Sequence, residues 1–273
     1  MKGTLQGTLV LVGCGKMGSA LLEGWIARGV APDKIVVLEP HHSAELAAFT
    51  RTHAIRLNPP SQSISDVEVL VIAVKPQMMD AVLPTLKPLI TLQSLVLSIA
   101  AGTPIAKFEN VFGANVSVIR CMPNTPAAIG RGITAMVGTP RVSPTQRAIA
   151  EELLLAAGEV VSVDTELAID WVTAVSGSGP AYVFLLAETL AAAGEKLGLS
   201  KELATQLARA TVSGSGELMR QSGIDAATLR ENVTSPNGTT HAALQVLMAD
   251  DGLKPLLEKA VEAAARRSKE LAQ

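Results

Sequence analysis

The stretch Leu9-Val10-Leu11-Val12-Gly13-Cys14-Gly15-Lys16-Met17-Gly18-Ser19-Ala20-Leu21-Leu22-Glu23-Gly24-Trp25-Ile26 decides the fold of this chain. Four aliphatic residues in a row read as a short strand buried on both faces. Leu21, Leu22, Trp25 and Ile26 recur at helical spacing and Gly29 supplies a stop, so residues 19–28 read as an amphipathic crossover helix. Between strand and helix stands a G-x-G-x-x-G turn. Its first glycine permits the tight turn, the second lets the backbone approach a pyrophosphate, and the third lets helix and strand pack closely. The first N–H groups of the helix add a positive partial charge for the anion. The pattern alone is weak and a structural glycine turn is its plain alternative. The strand before it, the helix after it and a second aliphatic run at 35–38 together point to a dinucleotide.

Glu39 ends that second run, about 20 residues past the last glycine, where an acidic side chain bonds the adenosine ribose hydroxyls. A carboxylate there repels a 2′-phosphate and favours NADH over NADPH. His41 and His42 follow at once, and a protonated His or a movable loop would readmit the phosphate. A solvated glutamate at a strand end is the other reading of Glu39.

Outward from this unit, aliphatic runs recur at 69–74, 95–99, 116–119, 133–137 and 160–163. Ser143-Pro144 opens a further helix, with Ser as N-cap and Pro at the first position, running through Ile149, Leu153 and Leu154 to Gly158. Strands alternating with helices imply βαβ units, so residues 1–163 read as an α/β Rossmann-type dinucleotide-binding domain with a mainly parallel sheet. After Val163 the chain changes to long Ala- and Leu-rich stretches at 167–175, 181–197, 201–220, 240–248 and 254–272. No strand is expected there, and residues 164–273 read as an all-helical C-terminal domain. No Gly/Ser linker separates the two.

Composition narrows the function classes. A length of 273 residues accommodates two domains. Lys and Arg number 23 against 25 Asp and Glu, which leaves no broad positive field for a phosphate backbone. Four Phe, two Trp and one Tyr leave little to stack bases on, so nucleic acid is not expected as a partner. Cys14 and Cys121 are too few for a disulfide scaffold and spaced unlike a zinc cluster; no metal is expected, and a reducing cytoplasm is. The apolar run at 9–12 before Cys14 falls short of the roughly 7–15 residues of an export signal's core. The longest uncharged stretches, 88–106 and 171–187, are broken by polar residues, Gly and Pro, so no membrane span is expected.

Further candidate site residues lie at the carboxyl ends of expected strands, where open α/β sheets bind ligands. Ala73-Val74-Lys75-Pro76-Gln77 and Ser98-Ile99-Ala100-Ala101-Gly102 offer small or rigid walls for a flat ring and its ribose, although Lys75 taken alone reads as a surface lysine. Arg120-Cys121-Met122-Pro123-Asn124-Thr125-Pro126 is either a rigid turn or a cofactor or substrate edge. In the helical half, Ser176-Gly177-Ser178-Gly179-Pro180 interrupts a helical pattern. Val233-Thr234-Ser235-Pro236-Asn237-Gly238-Thr239-Thr240 forms a turn feeding another helix, and its hydroxyls with that helix's first N–H groups would hold a small carboxylate. Three hydroxyls and a glycine exceed what a cap needs. His241 reads as structural, and no Ser-His-Asp order or P-loop stands out. A site of nicotinamide and hydroxyls suits hydride chemistry that needs little proton transfer.

Taken in order, the glycine turn 13–18, Ala73-Val74-Lys75-Pro76-Gln77, Met122-Pro123-Asn124-Thr125-Pro126, Ser176-Gly177-Ser178-Gly179-Pro180-Ala181-Tyr182 and Val233-Thr234-Ser235-Pro236 with Gly238-Thr239-Thr240 resemble pyrroline-5-carboxylate reductase across nearly the whole chain. The glycine turn is shared by many dehydrogenases, while the last two motifs are specific to that family. The resemblance implies reduction of the cyclic imine 1-pyrroline-5-carboxylate to L-proline by NADPH or NADH, the last step of proline biosynthesis. It implies that the substrate carboxylate sits at Ser235, Gly238, Thr239 and Thr240, with Thr240 contacting or helping to protonate the ring nitrogen, and that Asn232 faces the nicotinamide side. It also implies a homo-oligomer paired through the helical domain, as a dimer or a higher ring. The cofactor set so expected is Gly13, Cys14, Gly15, Lys16, Met17, Gly18, Glu39, Ala73, Val74, Lys75, Pro76, Ala100 and Asn232. Three positions depart from the family pattern. Asn237 stands where relatives usually carry Gly, and Asn tolerates a left-handed backbone. Residues 220–224 replace a commonly Glu-rich region, and Glu39 differs from the polar or basic residues that suit NADPH.

Two other readings share some of these features. A β-hydroxyacid or other imine dehydrogenase uses the same two-domain plan, but such hydroxyacid enzymes resemble one another in a helical lysine near the second glycine motif, and the first lysine after Pro180 is Lys196. A non-catalytic redox sensor that binds the dinucleotide would leave the hydroxyls of 235–240 unexplained.

Overall fold

Alternating aliphatic side chains on short strands need cover on both faces, and the sheet provides it. The computed structural model describes residues 5–271. Its strands are β1 (Thr8–Val12), β2 (Ile35–Leu38), β3 (Arg56–Leu57), β4 (Val67–Ile72), β5 (Leu95–Ser98), β6 (Ser117–Met122), β7 (Gly132–Gly138) and β8 (Gly158–Ser162). They form one sheet in the order β3-β2-β1-β4-β5-β6-β7-β8. Every pairing is parallel except β6 with β7. The expected α/β Rossmann-type domain with a mainly parallel sheet is therefore what the chain forms, and each expected run overlaps a strand, some running one or two residues past its end. β3 is an addition: two residues are too short for any hydrophobic period to announce them.

Leu9, Leu11, Val37, Val71 and Leu97 belong to one core cluster and Val10, Val36, Leu70, Val96 and Val118 to the other, the two-residue alternation of a strand. On the first face lie α1 (Lys16–Ala27), α2 (Ala44–Thr52) and α5 (Pro144–Leu154), contributing Trp25, Leu46 and Leu153. On the second lie α3 (Met79–Leu86), α4 (Ile105–Phe112) and α6 (Ala168–Val172), contributing Leu83, Phe108 and Ile169. Trp25 is fully buried and its Nε1–H donates to the Leu153 carbonyl at 2.8 Å, so the indole joins α1 to α5 without an orphaned donor. The expected Ser143 cap closes a full capping box with Gln146.

After Ser162 the described residues contain only helices: α6, α7 (Gly179–Lys196), α8 (Lys201–Ser222), α9 (Ala226–Asn232), α10 (Thr239–Leu247) and α11 (Leu253–Leu271). The expected interruption at 176–180 falls between α6 and α7. Residues 173–177 form one π turn, Ser178 alone is a bend, and Pro180 takes its place in the first turn of α7. The Thr173 and Ser176 hydroxyls donate to the Ile169 and Val172 carbonyls at 2.7 and 3.1 Å, which satisfies this hydroxyl chemistry locally.

The chain divides into two compact units. One comprises the described residues up to 177 together with 265–271; the other is 178–264. In the second, α7 and α8 pack through Ala191, Ala204 and Ala208. Gly194 permits the approach, since a Cβ there would stand 3.3 Å from that of Ala204. No described helix is long and apolar enough to cross a membrane.

Candidate functional site

The strand order reverses direction between β1 and β4, and the glycine turn sits at that switch point, at the carboxyl end of β1. Gly13 has a φ of 86°, and a Cβ on it would come within 2.8 Å of the Ala73 backbone. A Cβ on Gly18 would come within 2.5 Å of the Gly13 carbonyl oxygen. Both glycines are required by packing. Gly15 differs: it is exposed, its φ is −73°, and a Cβ there would meet nothing within 4 Å. It is the N-cap of α1, with no side-chain cap and no acidic residue in the first turn. The N–H groups and dipole of α1 thus face open space, the environment an anion uses.

Glu39, at the end of β2, is held from three sides. Its Oε2 accepts the Cys14 N–H at 2.9 Å and its Oε1 the His41 N–H at 3.1 Å. Its own N–H donates to Asn58 Oδ1 at 2.8 Å, and Asn58 Nδ2 returns a bond to the Glu39 carbonyl at 2.9 Å. The carboxylate is thereby aimed back at the glycine turn instead of out into solvent. A cleft of about 460 Å³ opens here, lined by Gly13, Gly15, Glu39, His41, Val74 and Lys75 among others. Gly13, Gly15, Glu39, Ala73, Val74 and Lys75 of the expected cofactor set come together in it. Cys14, Lys16, Met17 and Gly18 continue the same turn, while Pro76 opens a short 3-10 turn just beyond Lys75. Burial raises the Cys14 thiol pKa, with Glu39 and Glu23 adding to the rise against the opposing Ser19 bond. Burial alone pushes Cys121 far up. Neither thiol offers a thiolate nucleophile at neutral pH.

Ala100 lies at the end of β5, buried, its N–H donating to Ser98 Oγ at 3.3 Å. At the end of β6, Asn124 Oδ1 accepts the Ile133 N–H at 2.9 Å, so the amide braces the start of β7.

The hydroxyl-rich turn lies wholly in the second unit. Asn237 has a φ of 60°, the left-handed conformation that this position demands and that Asn accepts. Gly238 packs against Ser235 Oγ, its N–H donates to the Ser235 carbonyl at 3.0 Å, and it is the N-cap of α10 with no side-chain cap. Thr239 and Thr240 are the first two residues of α10, and Asn232 is the last of α9. His241 Nε2 lies 3.3 Å from Gln245 Nε2. Of the other helices, α2, α5, α8 and α9 close their first turns with Ser43, Ser143, Ser200 and Asp225, while α3, α4, α6 and α7 start without a side-chain cap behind Met78, Pro104, Leu167 and Ser178.

Asn58 escapes the sequence reading. It follows the two-residue β3, where no periodicity exists to flag it, and takes a left-handed φ of 47°. Met78 and Val82, which also line the cleft, lie on the turn before α3 and on α3 itself, outside every motif singled out in the sequence.

Residues 166–271 match the family model for pyrroline-5-carboxylate reductase dimerisation, and residues 8–102 match that for NADP oxidoreductase, coenzyme F420-dependent. The pyrroline-5-carboxylate reductase of Pseudomonas aeruginosa is 41% identical over 267 residues, covering 97% of each chain. A solved pyrroline-5-carboxylate reductase from Coxiella burnetii superposes with a TM-score of 0.91 at 34% identity, covering 98% of this chain and 100% of that one. A Plasmodium falciparum pyrroline carboxylate reductase solved with NADP bound gives 0.81 at 30% identity, covering 99% and 100%.

Proposed function

This chain belongs to the pyrroline-5-carboxylate reductase family, and from that premise we propose that it reduces 1-pyrroline-5-carboxylate to L-proline with NADPH or NADH, the last step of proline biosynthesis. The observation that carries the site assignment is that α1 and α10 both start behind a glycine N-cap, Gly15 and Gly238, with no side-chain bond to their first N–H groups. Each leaves N–H groups for an anion: a dinucleotide diphosphate at the first, a substrate carboxylate at the second. The dinucleotide fits the first on structural grounds, because the space a Cβ on Gly15 would enter is empty and Glu39 stands beside it.

When bound, a reduced nicotinamide supplies the hydride. The chain's own residues bind and orient. Gly13, Cys14, Gly15, Lys16, Met17 and Gly18 hold the diphosphate, Glu39 the adenosine ribose, and Ala73, Val74, Lys75, Pro76 and Ala100 wall the rest. Ser235, Gly238, Thr239 and Thr240 hold the carboxylate of the imino acid, Thr240 contacts the ring nitrogen or helps to protonate it, and Asn232 lies on the nicotinamide side. A cyclic imine protonates readily, so its carbon is already electrophilic and positioning supplies most of the catalysis.

We place the functional division at 163/164, with 1–163 for the cofactor and 164–273 for self-association and substrate; the dimerisation model beginning at residue 166 supports it. In an isolated chain Phe184 is 67% exposed and Trp171 57%, apolar surface suited to a second copy. Two free, buried thiols support work in the reducing cytoplasm. The test is oxidation of NADH and NADPH by the purified protein with 1-pyrroline-5-carboxylate, followed by loss of the reduced-nicotinamide absorbance, with proline identified as product. Folded, cofactor-binding protein that leaves the imine untouched refutes the proposal.

A further inference from the structure

Arg120 sits on β6 with only 3% of its side chain exposed. Its Nη1 donates to Glu166 Oε1 at 2.9 Å, and its Nη2 lies 3.9 Å from Asp170 Oδ1. The same Glu166 oxygen accepts the Ile105 N–H at 2.8 Å, closing the start of α4 that Pro104 leaves without a side-chain cap. The same Asp170 oxygen accepts the Ser268 hydroxyl at 2.8 Å, a bond between two buried residues 98 positions apart. One buried guanidinium thus joins β6, the start of α4, α6 and the last turns of α11. Three residues beyond Ser268, the Leu271 carbonyl lies 3.3 Å from where a Cβ on Gly102 would stand, and Gly102 is left-handed at a φ of 65°. The β5–α4 connection, residues 99–104, is therefore held at two points: Leu271 abuts Gly102 within it, and Glu166 anchors Ile105, the residue that follows it.

We infer that the final turns of α11, locked by Ser268 onto Asp170, position the Ala100-Ala101-Gly102 loop that walls the nicotinamide end of the cofactor, which makes Ser268 and Asp170 positioning residues for the reduction. The inference rests on the proposed cofactor reading. In a parallel sheet with this switch point the adenosine half lies toward β2 and the nicotinamide half toward β4 and β5. A loosened β5–α4 loop consequently weakens the nicotinamide half and spares the adenosine half. An additional anchor of ordinary stability value would lower the melting temperature and spare both.

The experiment compares equilibrium binding of NADH with that of ADP-ribose, which lacks the nicotinamide, in the full-length protein and in Ser268→Ala, Ser268→Thr and Asp170→Asn. Ser268→Ala and Asp170→Asn are expected to weaken NADH about tenfold, the equivalent of one buried bond to a charged group. ADP-ribose affinity stays constant, and Ser268→Thr restores NADH binding because it keeps the hydroxyl. Equal affinities for both ligands across the series, with only the melting temperature lowered, overturn the inference. Ala101→Leu, at an exposed position of the same loop, separates the two levels. If it alters NADH but not ADP-ribose binding while Ser268→Ala alters neither, the loop assignment stands and the role of Ser268 falls. If Ala101→Leu changes neither, the cofactor reading of this loop fails and takes the inference with it.

Discussion

The Glu39 carboxylate holds the Cys14 N–H at 2.9 Å, so the residue expected to read the adenosine ribose is also a strut of the glycine turn. With His41 N–H on its second oxygen and Asn58 bracing its backbone, the side chain cannot leave the cleft without giving up these bonds. Glu39→Ser is therefore expected to shift the ratio of kcat/KM for NADPH over NADH upward about tenfold, roughly 1.4 kcal/mol. It also costs roughly 1–3 kcal/mol of stability through the unpaired Cys14 N–H. Steady-state kinetics with both cofactors decide the first part, and an unchanged ratio removes Glu39 from cofactor choice.

Two glycines of one motif are expected to fail in opposite ways. Gly18→Ala drives a Cβ into the Gly13 carbonyl and should lower the melting temperature before any ligand is added. Gly15→Ala meets nothing within 4 Å and has an ordinary φ, so it should melt like the parent yet bind NADH at least about tenfold more weakly. Thermal melts with and without NADH separate the two. A Gly15→Ala protein with unaltered NADH affinity would show that no diphosphate approaches there.

At the start of α10, Thr240→Ala should lower kcat or raise the KM for the imine by about tenfold to a hundredfold, the range of a lost bond to a charged group. NADH affinity by direct titration should be unaffected. Normal kinetics would leave Thr240 as no more than the second residue of a helix.

Phe184, exposed on α7 beside the half-exposed Leu185 and Leu186, should lie in the contact between copies. Phe184→Glu places a charge where a desolvated aromatic is expected, and sedimentation should show dissociation toward monomer at micromolar concentration. An unchanged sedimentation coefficient would move the interface elsewhere on the helical unit.

The sheet was legible because its strands are buried on both faces, and a run such as Leu9 to Val12 admits little else. Gly13 and Gly18 were legible because backbone packing leaves no alternative residue. Asn58 was not, because its role depends on β3, whose pairing comes from its neighbour β2 and not from its own two residues. The break at 176–180 was legible by residue type, because Gly, Ser and Pro carry turn signals, and a π turn with a bend at Ser178 separates α6 from α7 there. The Arg120 cluster was invisible for a different reason. Its members are 46 and 98 positions apart, and no local pattern relates Arg120 to Glu166 or Asp170 to Ser268.

That last bond bears on the order in which the molecule matures. The sheet-bearing unit is discontinuous in sequence: residues 178–264 are made after its strands and before its Ser268. A ribosome that has released all eight strands has still not delivered the hydroxyl that Asp170 awaits. Asp170 therefore waits 98 positions for its partner, so the last step in finishing the nucleotide fold falls to a segment synthesised after the whole helical insert.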